Sequence, residues 1–260
     1  MHKFSITNRY ALKIVGYVLI PEKSKGLVFV MHGLSAYKEE TQIETMANTF
    51  FNNGYTVVNF DATNSFGESE GKFENATMKA HYEDLVDVVS WAQNQSWYVE
   101  PFVLAGSSFG GYAVLQYAEE YPSKVKAIFP HAAVISGKLS FEGTRKFKPG
   151  KLEEWEKTGW HVEISKSRPG IIKKLPWSHM EERLNHDLIP GATNLTMPIL
   201  FMVGENDFSK IEDQKVLYNA IPEKTKREFH LIKGAPHTFE DPEHLMQLAN
   251  ILDAWIKKLK

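Results

Sequence analysis

A serine set among glycines, an aspartate and a histidine stand in this chain where acyl-transfer chemistry would need them. Gly106-Ser107-Ser108-Phe109-Gly110 follows the apolar run Phe102-Val103-Leu104-Ala105 and precedes a helix-like stretch at residues 112–120. Strand, then G-x-S-x-G, then helix is the setting of a nucleophile elbow. Neighbouring side chains collide at so sharp a turn, and Gly106, Gly110 and Gly111 leave the room it needs. The turn would lift Ser108 Oγ above the sheet and set a helix N-terminus where its partial positive charge favours an oxyanion. Ser107 competes for the role, but its flanks, Ala105 and Phe109, break the pattern. The plainer reading is a glycine-rich turn with an incidental serine, so the remaining members of a triad decide between the two.

Those members follow in chain order. Pro198-Ile199-Leu200-Phe201-Met202-Val203 reads as a strand ending at Gly204-Glu205-Asn206-Asp207, and residues 226–232 read as the next strand, ending at Gly234-Ala235-Pro236-His237. Serine, acid, histidine is one of the known triad orders. Imidazole titrates near neutral pH, so His237 can take the Ser108 proton. Asp207 would fix the imidazole tautomer and stabilise the imidazolium. Glu205 is the rival acid, and His32, His131 and His244 are weaker claimants for the base. Asp61 ends a strand but precedes the serine, which suits a loop-holding role. His32-Gly33 ends another apolar run, and a glycine there can turn the Leu34 N–H into the site. With the N–H of Phe109 it would form an oxyanion hole. No His-Glu-x-x-His or other metal-ligand spacing occurs, so neither metal nor cofactor is expected.

The elements that must hold these residues alternate. Strands are expected at residues 12–20, 27–31, 56–60, 102–105 and 125–130, with helices at 39–53 and 82–95. Such a rhythm argues for an α/β fold, a mostly parallel sheet with helices on both faces. It breaks after His131. Residues 137–191 show no strand–helix unit and are expected to be an inserted cap, with residues 1–136 and 192–260 as the core. His32, Trp155 and Trp160 are the candidate substrate contacts, although the tryptophans suit a small cap core equally. Lys146, Lys148, Lys151, Arg168, Lys173 and Lys174 give the insert a basic excess, read chiefly as a solvated face. A closing helix is expected over residues 242–259.

Composition excludes some classes. The 260 residues are 43% hydrophobic, enough for a full core, and the net charge of −2 gives no electrostatic case for nucleic acid or an anionic membrane as partner. The absence of cysteine removes disulfides and thiolate chemistry. Residues 1–9 lack the apolar segment of a signal peptide, and no run approaches the ~20 apolar residues of a membrane span. A soluble cytoplasmic protein with a small-molecule ester substrate is the expectation, and homodimerisation is left open.

Across nearly its whole length the chain resembles the α/β-hydrolase superfamily, through His32-Gly33-Leu34, the loop 61–71, Gly106 to Gly110, Gly204 to Asp207 and Gly234 to His237. With Lys38-Glu39-Glu40 it is similar to the branch holding cinnamoyl and feruloyl esterases, monoacylglycerol-lipase-like enzymes and acylaminoacyl-peptidase-like domains. The resemblance implies an eight-stranded sheet, a cap after the sixth strand, and catalysis through Ser108, Asp207 and His237. The expected activity is serine carboxylester hydrolysis of small to medium esters, aryl or short-acyl. A small-peptide peptidase or amidase is the alternative, with Glu153, Glu154, Glu156 and Glu163 as carboxylates for a free amine, here read as an exposed helix face. A thioesterase or monoacylglycerol lipase lies between the two, and a non-catalytic receptor ranks last.

Overall fold

Successive residues of a strand point to opposite faces, so a run that is apolar throughout must be covered on both. A computed structural model of the chain describes residues 1–165 and 170–259. Its strands are β1 (His2–Thr7), β2 (Lys13–Leu19), β3 (Leu27–Met31), β4 (Thr56–Phe60), β5 (Phe102–Ser107), β6 (Val125–His131), β7 (Trp160–Ile164), β8 (Ile172–Pro176), β9 (Ile199–Gly204) and β10 (Arg227–Ile232). Eight of them form one sheet in the order β1-β2-β4-β3-β5-β6-β9-β10. β1 pairs with β2 and β2 with β4 in antiparallel fashion, and β4, β3, β5, β6, β9 and β10 run parallel.

The α/β expectation holds, with the eight strands the resemblance implied. Phe29, Met31, Phe102 and Leu104 enter one core layer, beneath α2 (Met78–Ala92), α3 (Phe109–Glu120) and α7 (Phe208–Ala220). Their neighbours Val28, Val30, Val103 and Ala105 enter the other, beneath α1 (Thr41–Asn52) and α8 (Pro242–Ile256). Because β3, β5, β9 and β10 are parallel, their carboxyl ends share one edge of the sheet, where open α/β sheets bind ligands. Leu34, Ser108, Asp207 and His237 all follow those ends.

Two elements of the core differ from expectation. The N-terminal stretch forms β1, an edge strand on which only Phe4 and Ile6 face the core, with Phe4 stacked on Trp91 at 4.2 Å. Helix α2 begins a turn earlier than the apolar spacing suggests, because Thr77 accepts from the Ala80 N–H at 3.0 Å and caps it.

Between β6 and β9 the chain leaves the sheet. It builds α4 (Gly137–Phe147), α5 (Lys151–Thr158), a separate β7–β8 hairpin and α6 (Ser178–Arg183). A bridge between Ser136 and Asp187 closes the neck, flanked by Gly137 N–H to His186 O at 2.8 Å and Leu188 N–H to Ile135 O at 3.0 Å. Leu152, Trp155, Leu175 and Met180 form a small apolar cluster with Phe73 and Ala76 from the segment before α2. Arg168 lies outside the described residues.

Candidate active site

The elbow is built by exclusion of side chains. A Cβ on Gly106 would lie 2.3 Å from the Gly110 carbonyl oxygen, and one on Gly110 would lie 2.4 Å from that of Met31. Ser108 sits between them at φ 54°, ψ −108°, a strained geometry for a residue with a side chain. It is held there because its N–H donates to His131 O at 2.9 Å, while its own carbonyl accepts from Tyr112 and Val134 N–H groups. Ser107 is turned the other way. Its buried hydroxyl accepts from Gln42 Nε2 at 2.9 Å and lies 3.1 Å from His131 Nδ1.

The loops after β9 and β10 are clamped to each other. Glu205 accepts from Gly234 N–H, Asn206 N–H donates to Ala235 O, and Asn206 Nδ2 donates to Gly234 O, each at 2.9 Å. Glu205 therefore ties the loop, and Asp207 is the acid that reaches His237, with Oδ2 2.5 Å from Nδ1. A neutral His237 donating from Nδ1 keeps Nε2 as its basic nitrogen. Ser108 and His237 border one cavity, and no hydrogen bond joins their side chains among the described residues. Such contacts commonly tighten only when substrate is bound.

Leu34 and Phe109 border the same cavity, and their N–H groups make no intramolecular hydrogen bond among the described residues. Gly33 lies against the serine, since a Cβ there would be 3.0 Å from Ser108 Cβ. His32 is placed differently from the expectation that it touches substrate. It is fully buried, with Nε2 accepting from Ala62 N–H at 2.9 Å and Nδ1 2.8 Å from Gly33 O, so both ring nitrogens serve the backbone. Burial holds its pKa below the ordinary histidine value.

Asp61 holds its loop. Its carboxylate accepts from the N–H groups of Lys38 and Glu68 and from Lys38 Nζ, at 2.7–2.8 Å. Burial draws the Lys38 ammonium down, but bonds to Asp61, Glu39 and Glu68 hold it above its usual range. His131 is buried within the core, and burial, then the neighbouring His237, push it down to about 3. His244 packs against Phe239.

Ser108 stands between two clefts. One, of about 350 Å³, runs under the insert past Phe109, Ser140, Trp155 and Arg183. The other, of about 470 Å³, runs past Gly33, Glu40, Pro236 and Glu240. Trp155 borders the first, with Nε1 donating to Leu175 O at 3.1 Å, so it is both wall and part of the insert's core. Trp160 does not reach the site. It lines a separate hollow and lies under Lys174 Nζ at 3.8 Å. Glu153, Glu154 and Glu156 are exposed on α5, whereas Glu163 lies on β7 and borders both clefts opposite Lys173.

Gln42 escapes a motif search. Besides Ser107, it binds Phe239 N–H through Oε1 at 2.7 Å and so joins the elbow to the chain after His237. An amide on the helix face otherwise formed by Ile43, Met46 and Phe50 is the signal that could have found it.

Comparison with known proteins fits this arrangement. A family model described as serine aminopeptidase, S33, matches residues 22–242. The chain belongs to that family of α/β hydrolases. This hydrolase is 23% identical to an uncharacterized 31.7 kDa protein of Escherichia coli, over 89% of this chain and 90% of the relative. It is also 23% identical to the mitochondrial palmitoyl-protein thioesterase ABHD10 of Bos taurus, over 99% of this chain and 82% of that one. Among solved structures, Est1E of Butyrivibrio proteoclasticus with ferulic acid bound superposes with a TM-score of 0.79 at 19% identity, covering 98% of each chain.

Proposed function

We propose that this hydrolase is a serine carboxylesterase that cleaves small to medium esters through an acyl-enzyme. The observation that carries the reading is the convergence at one cavity of a strained elbow serine and a histidine whose Nδ1 is held by Asp207. His237 Nε2 takes the Ser108 proton as Oγ attacks the ester carbonyl carbon, and the two N–H groups of Leu34 and Phe109 receive the oxyanion. His237 then protonates the leaving alcohol. Water, activated by the same nitrogen, releases the acid and restores Ser108. Loss of one oxyanion donor costs on the order of 10²–10³ in rate. Residues 137–191 act as the cap that shapes the substrate side of the cleft.

In the cleft under the insert, charge favours an ester over an aminopeptidase substrate. Five basic side chains line the cavity under the insert against two acids, Asp207 and Glu163. Asp207 is held by His237, and Glu163 lies 3.4 Å from His161 Nε2. A free substrate ammonium would enter against that field. The ABHD10 likeness supports a thioester as a second substrate type for the same machinery.

Turnover of matched aryl esters, alkyl thioesters and aminoacyl anilides tests this. Ester kcat/KM should exceed that for anilides by more than ~100-fold. Preferential anilide cleavage would replace this reading by the peptidase.

A further inference from the structure

Arg183 closes α6 and borders the cavity beside Ser108. Its Nη1 donates to Ser140 Oγ at 3.2 Å and its Nη2 to His179 Nε2 at 2.9 Å. The guanidinium carbon lies 4.8 Å from the centre of the Phe109 ring. Nε is buried with no partner. Among the described residues no carboxylate lies within 4.0 Å of this cation. Glu182, its chain neighbour, is taken up by His186 Nε2 and by the N–H groups of Met78 and Lys79.

The partner that holds Arg183 does not neutralise it. His179 Nδ1 lies 2.6 Å from Ala76 O and must carry the proton, which leaves Nε2 to accept from the guanidinium. Burial and the adjacent charge push His179 down to about 4, so it stays neutral at pH 7. Burial brings Arg183 itself down to about 10, still a full cation. The backbone there is closely packed as well, since a Cβ on Gly137 would lie 1.8 Å from Arg183 O. Lys151 and Lys173 face the same cavity and make no ion pair among the described residues. A half-buried cation without a counter-charge is held at a cost that an anionic partner would relieve. Carboxylate and phosphate groups meet a guanidinium through two parallel N–H bonds, and the free Nε offers one arm of that fork.

We infer that the cavity between Ser108 and the insert receives an anionic group of the substrate, a carboxylate or phosphate. Arg183 selects it, and Lys151 and Lys173 add to the field. The inference deepens the ester-hydrolase reading and rests on it. The anion sits on the acyl or the alcohol side of the scissile bond, and paired substrates separate the two.

The experiment measures kcat/KM for para-nitrophenyl hydrogen adipate against para-nitrophenyl heptanoate, and for para-butanoyloxybenzoate against phenyl butanoate. Wild type is expected to favour the acid-bearing member of one pair by about tenfold or more. Arg183→Gln should lower that ratio by about 10- to 100-fold and Lys151→Gln by a few-fold. Added salt should erode the preference. Wild-type ratios at or below one in both pairs would overturn the inference, as would an unchanged ratio in folded Arg183→Gln. Should Arg183→Gln not fold, the Lys151→Gln ratio and the salt dependence decide. If wild type cleaves none of the four esters, the ester reading fails by itself. Adipate binding, followed by tryptophan fluorescence, then decides the anion site. Saturable binding that weakens in Lys151→Gln supports it, and no binding overturns it.

Discussion

The sheet edge and the insert meet at the same cleft, yet they are held together in different ways. The loops bearing Ser108, Asp207 and His237 are fixed by backbone hydrogen bonds, glycine contacts too close for any Cβ, and the Gln42 bridge. The insert rests on a narrow neck at Ser136 and Asp187, on a small apolar cluster around Trp155, and on side-chain bonds such as those of Glu182 to the Met78 and Lys79 N–H groups and of Tyr112 to His186. One region can hold reacting atoms to within fractions of an ångström, as bond-making needs. The other can change its lining without disturbing them. We propose that in this hydrolase the chemistry belongs to the sheet edge and the choice of substrate to the insert.

Substitutions on the two sides should therefore fail differently. Ser108→Ala is expected to lower kcat by about a millionfold with the thermal midpoint retained. Residual activity near wild type would break the comparison at its root. Asp207→Asn should lower kcat about 10⁴-fold, because the histidine tautomer is no longer fixed. A loss confined to KM would place Asp207 outside the chemistry. On the other side, Trp155→Ala removes a core ring and its bond to Leu175, a change worth about 3–5 kcal/mol in a well-packed core. It should reduce kcat/KM for cleft-filling esters while a small activated ester still acylates Ser108. Equal losses for large and small esters would show that the insert also positions the triad.

A separate effect concerns pH. His81 and His131 are pushed down to about 3 and His179 to about 4, each chiefly by burial. In the unfolded chain they titrate near 6.5, so between that value and about 4 the unfolded state binds more protons. The histidine contribution to stability is then complete above pH ~6.5 and falls as the pH drops, by about 1.4 kcal/mol per histidine per pH unit, while Asp84 and Glu119, raised by burial to about 6 and about 8, titrate in the opposite sense. Urea unfolding at pH 7 and pH 5 checks this. His179→Asn should flatten the slope by one histidine's share, and an unchanged slope would mean that His179 is not neutral in the fold.

The same contrast explains what could be read in the sequence. Strands β3, β5 and β9 are apolar on both faces and short, so their ends, and with them Ser108 and Asp207, stood out by pattern. Strand β1 escaped because only Phe4 and Ile6 of this edge strand are even partly buried. The β7–β8 hairpin escaped because the alternation of Trp160, Val162 and Ile164 along β7 spans only five residues and faces solvent instead of a core. Trp155 and Trp160 are alike as residue types, and only tertiary packing sends one to the cavity wall and the other to an outer hollow. Arg183 carries no spacing signal at all. Its meaning lies in a carboxylate that is not beside it.

The most direct test of the account is the site of a covalent adduct. Treated with a fluorophosphonate and mapped by tandem mass spectrometry, the wild-type chain should carry a single adduct on Ser108, and Ser108→Ala should carry none. An adduct on Ser107, or ester turnover by an enzyme that takes no label, would contradict the assignment of the nucleophile.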